Sequence, residues 1–256
     1  MNEKLKKVIE NYKNKTQKDC YEIIIDNSSN IEILDDKIGG EAYIPLGEEY
    51  PIDKEGNPMI LLLQVNLKNI ELDGYPRKGI LEVFIDKECS WPADYKIKYF
   101  EENQEYRTDL PEFPSDNYII DKPLKINLKK NIEHMPMSDY RFLSVIKELI
   151  KKETELELND YDEIIELFES NNIDLYKVMY EKMSILNGNI GGYADFTQTD
   201  PRIDIRENKE ECLFKIDSNI GNGIMIGDSG IIFGLISKED IEKCNFTEAM
   251  VDWDCC

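Results

Sequence analysis

Histidine is almost absent from this sequence of 256 residues, since His134 is the single one. A zinc site built from histidines needs several imidazoles, and an acid–base pair of histidines needs two. One chain of this composition can assemble neither. A lone histidine is more typical of packing or of the surface than of a general base. We therefore expect no metal ion, no cofactor and no catalytic residue of the histidine type.

Basic residues are scarce relative to acidic ones. The chain has 31 Lys and Arg against 53 Asp and Glu, which gives a formal net charge of −22 at pH 7. Because nucleic-acid phosphates and anionic lipid headgroups would repel such a protein, we expect neither a nucleic-acid nor a membrane partner. Hydrophobic residues still make up 41% of the chain, and 14 Tyr, 9 Phe and 2 Trp can anchor a core. The composition is that of a folded globular protein.

Long apolar runs are missing as well. The longest, residues 59–63, is far shorter than the roughly 20 residues of a membrane-spanning helix. Residues 1–15 carry basic side chains without a following apolar stretch, so they indicate a short amphipathic helix and not a secretory signal. The six cysteines show no C-x-x-C spacing and are too sparse for a disulfide framework. We expect a soluble cytoplasmic protein with reduced thiols.

Strand and helix patterns divide the chain into three parts. Apolar and polar residues alternate in the first and last parts, which predicts strands separated by turn-forming clusters. From Ser138 to Leu186 the period is helical and predicts three helices. Ser138 is the expected N-cap of the first, Asn159 or Asp160 that of the second, and Gly188 the end of the third. The predicted strands are residues 21–25, 31–34, 59–67, 79–86, 95–100, 118–127, 211–217, 224–226, 231–236 and 248–253. The predicted fold class is α+β, predominantly antiparallel β.

The two strand-rich parts repeat each other at a constant spacing. Gly39 and Gly191 each begin a Gly-Gly pair and lie 152 positions apart, and Gln64 and Lys215 lie 151 positions apart. A near-constant offset predicts two copies of one strand-rich unit, related by a pseudo-twofold axis. We predict a single domain over residues 1–256, with a first β repeat at 36–100, a helical insertion at 137–187 and a second β repeat at 188–256.

Short motifs in both strand-rich parts carry a family resemblance. They are Gly39-Gly40, Pro45, Gly56-Asn57-Pro58-Met59, Leu63-Gln64-Val65-Asn66, Gly191-Gly192, Phe196-Thr197-Gln198-Thr199-Asp200-Pro201-Arg202, Phe214-Lys215-Ile216-Asp217-Ser218, Gly227-Asp228-Ser229-Gly230 and Asp252-Trp253-Asp254-Cys255-Cys256. As a set they resemble the YwqG-like family of uncharacterised bacterial proteins, which usually has Gln where this chain has Lys215. The resemblance implies an internally duplicated, mostly β fold, a cytoplasmic location and no established reaction. Some family members look like neighbours of secreted-toxin systems in their genomes, which implies an immunity or partner-binding role.

Polar residues recur at equivalent places of the duplicated strand. Gln64 and Asn66 in the first copy correspond to Lys215 and Asp217 in the second. Alternation places them opposite a predicted core face made of Leu61, Leu63, Val65, Cys212, Phe214 and Ile216. With Asp228, these four residues are candidate ligand contacts in a polar cleft between the copies, where Lys215 could meet Asp217. The alternative is that this face is solvated, or that its groups bond loops over the sheet.

Two loop motifs are similar to functional ones but lack an essential part. Gly227-Asp228-Ser229-Gly230 is similar to the nucleophile loop of trypsin-like proteases, yet no motif around His134 would orient a base for Ser229. We expect a turn there. Residues 217–228 place oxygen ligands at alternate positions, as a calcium loop does, but Asn222 stands where glycine is needed and Asp228 where a bidentate Glu is needed. A hairpin loop is the better interpretation.

Three functional hypotheses remain open from the sequence. The leading one is a non-enzymatic cytoplasmic binding protein, an acidic immunity-type partner of a basic protein, because charge complementarity speeds association. The second is a small-ligand-binding or enzymatic protein that uses the polar cleft between the repeats. The third is an assembly module that forms homodimers through an edge strand.

Overall fold

The structure is a computed structural model that describes residues 1–26, 30–101, 104–114, 117–204, 208–221 and 223–255. Within these residues it contains ten strands and five α-helices. In chain order they are α1 (Asn2–Thr16), β1 (Lys18–Asp26), β2 (Lys37–Ile38), β3 (Ile60–Asn66), β4 (Ile80–Ile85), β5 (Tyr95–Phe100), β6 (Leu124–Glu133), α2 (Phe142–Thr154), α3 (Tyr161–Glu169), α4 (Leu175–Lys182), β7 (Gly188–Gly191), β8 (Glu211–Asp217), β9 (Ile231–Ile236), α5 (Lys238–Glu242) and β10 (Met250–Asp254). The predicted α+β class with predominantly antiparallel β is confirmed.

The ten strands form one antiparallel sheet in the order β10-β9-β8-β7-β1-β6-β2-β3-β4-β5. The central pair, β1 and β6, runs in register from Lys18 opposite Glu133 to Asp26 opposite Lys125. Strands β2 to β5 follow outward on one side of this pair, and β7 to β10 follow outward on the other. The two ends of the sheet approach each other, since Tyr95 Oη donates a hydrogen bond of 3.2 Å to the carbonyl of Ala249. The sheet is therefore nearly closed.

The main core lies within this curved sheet and draws on both of its halves. Its fully buried members include Ile38, Leu63, Val65, Val83, Leu213, Phe214, Ile216 and Ile236. Two smaller apolar clusters pack on other parts of the sheet, one around Tyr43 and Phe84 and one around Phe196 and Phe233. Strands β3, β4 and β9 are consequently buried along their whole length, whereas the central strands β1 and β6 are partly exposed.

A β-bulge interrupts the alternation in β3 and again in β8. The pairing register shifts between Leu61 and Leu63 in β3 and between Cys212 and Phe214 in β8. Because a bulge moves one residue to the opposite face, Leu61 and Cys212 leave the main core and join the two smaller clusters. The prediction that all six apolar residues share one core face is therefore wrong for these two.

Helices α1 to α4 form a second layer with its own core, whereas Ile241 of α5 belongs to the main core. The amphipathic helix predicted for the first residues is confirmed as α1, which packs on α2 through an edge-on contact of Tyr12 with Phe142 at 5.6 Å between ring centroids. Asp160 caps α3 as predicted, since its side chain accepts a bond from the amide of Glu163. Ser138 is not a cap, because α2 begins only at Phe142.

Several other boundaries differ from the sequence predictions, among them the strand predicted at 118–127, which is observed as β6 at Leu124–Glu133. The third helix, α4, ends at Lys182 and not at Gly188, which opens β7. Residues 31–34 do not form a strand, because the Asp35 side chain accepts a bond from the amide of Glu32 and holds a turn. The segment 224–226 contributes only a single bridge between Ile224 and Ile120.

No helix among the described residues is both long enough and apolar enough to cross a membrane.

Candidate functional site

Gln64 lies on β3 in a buried polar cluster of the first half of the sheet. Its Oε1 accepts a bond from the amide of Tyr43 at 3.1 Å, and its Nε2 donates to the carbonyls of Ile33 and Asp35 at 2.7 and 2.9 Å. Buried amides of this kind hold loops in place. Gln64 thus fixes two loops over the outer face of the sheet, which is one of the alternatives left open by the sequence.

Lys37 and Glu82 complete this cluster. Lys37 lies opposite Gln64 in the β2–β3 pair, and its Nζ donates to the carbonyl of Ile33 at 2.8 Å. Glu82 Oε1 accepts a bond from the amide of Tyr43 at 2.7 Å, and no hydrogen-bond partner of Oε2 lies among the described residues. Desolvation by burial raises the pKa of Glu82 to about 8 and lowers the pKa of Lys37 to about 8.

Lys215 lies at the corresponding place in the second half, on β8. Its Nζ is 2.9 Å from Glu133 Oε1, and the two side chains are 1% and 0% exposed. Glu133 also accepts bonds from the amides of Leu186 at 3.0 Å and Tyr193 at 2.8 Å. Burial by itself lowers the pKa of Lys215, but the charge and hydrogen bond of Glu133 outweigh it, and the pKa is raised. The pair is a buried, hydrogen-bonded ion pair that ties β8 to β6.

Asn189 is the counterpart of Lys37 in this second cluster, since it lies opposite Lys215 in the β7–β8 pair. Its Nδ2 donates to the carbonyls of Gly191 and Tyr193, whereas its Oδ1 has no hydrogen-bond partner among the described residues. The two clusters therefore differ in chemistry, and their carboxylates lie on different strands, Glu82 on β4 and Glu133 on β6. The sequence reasoning missed Lys37, although the offset of 152 positions aligns it with Asn189.

Of the other three candidate ligand contacts, Asn66 and Asp217 are the last residues of β3 and β8, and Asp228 lies in a turn. Asn66 Oδ1 accepts a bond from the amide of Lys68, and Asp217 Oδ1 accepts one from the amide of Asn219, so each caps a short 3-10 turn. Asp228 is exposed in the turn that follows Ile226. No cleft described below is lined by Gln64, Asn66, Lys215, Asp217 or Asp228.

For the protease-like motif, the structure describes both His134 and Ser229. His134 Nδ1 accepts a bond from the amide of Ser184 at 3.0 Å, and Ser229 is exposed in a turn with φ of 59°. Burial and the nearby charge of Lys13 lower the pKa of His134. Asn222, the sixth position of the calcium-like loop, lies outside the described residues. Among those residues, no group of three His, Cys, Asp or Glu side chains is placed to hold a metal ion.

The Asp-Pro-Arg segment at residues 200–202 forms a buried charge network. Arg202 Nη2 donates to Asp139 Oδ2 at 2.8 Å and to Asp200 Oδ2 at 2.7 Å. Arg141 Nη2 donates to the same Asp139 oxygen at 2.6 Å. Every charge here has a partner, so the network fastens residues 139–141, just before α2, to the segment that follows β7.

An exposed apolar patch with acidic surroundings lies at the loops that flank β3 and β4. Trp91 is 74% exposed and Ile52 is 52% exposed. Their chain neighbours Asp53 and Ser90 line a depression of about 300 Å³, together with Lys54, Glu55, Asn57, Asp86, Lys87, Glu88 and Asp94. We call this surface the Trp91 patch. Its lining contains five carboxylates against two lysines, so the surface is locally acidic.

Two carboxylates of the Trp91 patch, Asp86 and Asp94, are buried and hydrogen-bonded to the two loops that line it. Asp86 Oδ2 accepts a bond from Ser90 Oγ at 2.7 Å, and Asp94 Oδ2 accepts one from the amide of Lys54 at 3.0 Å. Trp253 Nε1 donates to the carbonyl of Ser90 at 3.1 Å, which anchors the loop next to Trp91. The patch is thus preorganised. The sequence reasoning missed it, although a Trp in a polar loop between two strands was a visible signal.

Comparison with known proteins places the chain in a family. The family model described as a domain of unknown function, DUF1963, matches residues 36–255. No curated protein matches the chain significantly. The matched range includes both buried clusters and the Trp91 patch, and it covers most of the 256 residues. The chain therefore belongs to the DUF1963 family, an uncharacterised domain family.

Proposed function

We propose that this protein is a non-enzymatic binding protein that captures a basic protein partner through the Trp91 patch. The observation that carries the proposal is the pairing of a 74% exposed Trp91 with a depression lined by five carboxylates. Tryptophan and tyrosine residues that become buried on association are enriched among the hot spots that carry most of the binding free energy of protein interfaces. The net charge of −22 adds long-range attraction for a basic partner.

The chemistry of the patch favours a partner that presents Arg or Lys side chains. A guanidinium or ammonium group can form charge-assisted hydrogen bonds with the exposed carboxylates Glu55 and Glu88, and it can also lie over the indole face of Trp91. Ile52 adds apolar area beside these charges. An immunity-type role, in which the protein blocks a basic toxin, is the most specific form of this proposal.

The finer assignments belong to the same proposal. We infer that the chain is a YwqG-like member of its family that acts in the cytoplasm, and that residues 36–100 and 188–256 are two copies of one unit with a helical insertion at 137–187. The arrangement of β2 to β5 and β7 to β10 on either side of the central strand pair supports the duplication. The two bulges, at Leu61/Leu63 and Cys212/Phe214, support it further because they are 151 positions apart.

The test compares the wild-type protein with Trp91→Ala and with a matched control, Tyr180→Ala. Tyr180 lies on α4 and is 85% exposed. The control substitution therefore removes a similarly exposed aromatic ring from a different surface. Each immobilised protein is exposed to native lysate at low salt. The proteins retained by the wild type are identified, and the Kd of each purified partner is measured by titration calorimetry at two salt concentrations.

We expect a retained partner with a basic isoelectric point. Its Kd should increase at least about 30-fold for Trp91→Ala, because interface tryptophans commonly contribute about 2 kcal/mol or more. Tyr180→Ala should leave the Kd unchanged within about twofold, and added salt should weaken binding. The proposal is wrong if the retained partner is acidic, or if Trp91→Ala binds it as tightly as the wild type does.

A further inference from the structure

A second concave surface lies where the two halves of the sheet meet. It is a cleft of about 250 Å³ lined by Lys18, Asp19, Leu72, Asp73, Tyr75, Gly191, Gly192, Glu211, Lys238 and Ile241. Residues 72–75 come from the connection between β3 and β4, whereas the other residues belong to β1, to α5 and to the β7–β8 region. We call it the junction cleft. It is separate from the Trp91 patch, since the two share no lining residue.

The floor of the junction cleft is apolar and well packed. Leu72, Tyr75 and Ile241 are each buried, and Tyr75 Oη donates to the carbonyl of Cys212 at 3.3 Å. Gly191 allows this packing, because a Cβ at that position would lie 2.5 Å from Leu72 Cδ1. Ligand sites of folded proteins commonly combine such an apolar floor with a few charged groups that fix orientation.

Two ion pairs, each made of one lysine and one carboxylate, lie around this floor. Lys18 Nζ is 2.5 Å from Glu211 Oε2, and Lys238 Nζ is 2.6 Å from Asp73 Oδ2. Their side chains are partly or largely exposed, and exposed ion pairs contribute only about 0–1 kcal/mol to stability. A ligand that carries both a carboxylate and an ammonium group can therefore replace one partner of each pair at little energetic cost. The charges of the cleft fit a zwitterion.

The wall behind the cleft is also polar. Gly192 has a φ of +69°, and a Cβ built on it would lie 2.4 Å from Glu133 Oε2 and 3.3 Å from Asn189 Nδ2. Only a glycine backbone thus separates the cleft from the second buried cluster. In that cluster Asn189 is fully buried, and its Oδ1 has no hydrogen-bond partner among the described residues.

We propose that the junction cleft binds a small zwitterion with an apolar body, namely a free α-amino acid with an aliphatic or thioether side chain. The α-carboxylate takes Lys18, and the α-ammonium takes the carboxylates of Asp73 and Glu211. The side chain lies on the apolar floor. The volume of about 250 Å³ is below the range of roughly 300–1,000 Å³ typical of drug-sized ligands, so one amino acid fits better than a longer peptide.

The experiment titrates the full-length protein with leucine, isoleucine, valine and methionine and with their N-acetyl and carboxamide derivatives. The derivatives separate a free amino acid from the end of a peptide, since each removes one of the two charges. The variants are Lys18→Gln and Glu211→Gln, and the matched control is Lys15→Gln, which breaks the exposed Lys15–Glu148 pair on the helical layer. Calorimetry gives the Kd, and thermal unfolding shows whether each variant remains folded.

We expect at least one free amino acid to bind with a Kd below about 1 mM, which corresponds to about −4 kcal/mol. Both of its singly charged derivatives should bind at least about tenfold more weakly, and so should Lys18→Gln and Glu211→Gln, with Lys15→Gln unchanged. The proposal is refuted if no amino acid in the panel binds, if the derivatives bind equally well, or if the cleft variants keep wild-type affinity. None of these results depends on the basic partner.

Discussion

Removal of the buried ammonium group of Lys215 should strongly destabilise the protein. In Lys215→Met an unbranched apolar side chain of similar length replaces the lysine, so the substitution tests charge and hydrogen bonding more than volume. Glu133 would keep its bonds from the amides of Leu186 and Tyr193 but would lose its only ion-pair partner at 2.9 Å among the described residues. A buried carboxylate without its counter-charge carries an uncompensated desolvation penalty.

The expected cost follows from the burial of the pair. Breaking a buried ion pair by removal of one partner costs about 3–5 kcal/mol, whereas an exposed pair contributes about 0–1 kcal/mol. For a domain of this size 1 kcal/mol corresponds to about 2–4 °C, so Lys215→Met should lower the Tm by about 6 °C or more. Lys15→Met is the matched control, because Lys15 and its partner Glu148 are 43% and 64% exposed.

The assay is urea denaturation followed by tryptophan fluorescence, with Glu133→Gln and the double variant included to complete a double-mutant cycle. The double variant should be more stable than the sum of the two single effects predicts, by more than about 1 kcal/mol, because it contains no unpaired buried charge. Lys215→Gln should be milder than Lys215→Met, since the amide can still donate to Glu133. If Lys215→Met costs no more than Lys15→Met, the account of a buried, stabilising ion pair is refuted.

Three further predictions concern other buried groups. The pKa of Glu82 is raised from 4.5 to about 8, so the folded chain keeps a proton that the unfolded chain loses between these pH values. The free energy of unfolding of the wild type, relative to that of Glu82→Gln, should therefore fall as the pH rises from 4.5 to 8. A difference in urea denaturation that stays constant with pH would contradict this. Gly192→Ala should lower the free energy of unfolding by about 3 kcal/mol or more, because its Cβ would lie 2.4 Å from a carboxylate oxygen. Gly47→Ala, whose Cβ would have no atom within 4 Å, should lower it by only about 1–2 kcal/mol. Equal losses of stability would contradict the clash at Gly192. Burial raises the pKa of Cys20 and of Cys212 to about 12, so iodoacetamide at pH 8 should label these two thiols only after unfolding. Mass spectrometry measures the labelling. Rapid labelling of the native protein at these two positions would contradict their burial.

The strand content was predictable because most strands have turn residues at both ends. The predicted strands 95–100, 211–217 and 231–236 have the observed bounds. The class of the fold follows from that pattern. The bulges did not follow, because alternation in Leu61–Val65 is compatible with a regular strand, and only pairing with β4 reveals the shift after Leu61. Local patterns also failed at Ser138, where the expected cap bonds a distant loop instead.

The candidate sites were harder to predict than the fold. The spacing of 151 positions between Gln64 and Lys215 is visible in the sequence, but their burial depends on loops that cross the outer face of the sheet. Glu133, the ion-pair partner of Lys215, is 82 positions away and could not be paired with it without the sheet order. Trp91 could have been noticed as an aromatic residue in a polar loop, but its 74% exposure is a tertiary property.

The most direct test of the central claim is hydrogen–deuterium exchange of the protein alone and saturated with its basic partner. Because association through the Trp91 patch would cover residues 51–58 and 86–94, amide exchange should slow in these two loops and stay unchanged in α4. Slower exchange in α4 or along β10, with both loops unchanged, would contradict the claim that this protein binds its partner through the acidic surface around Trp91.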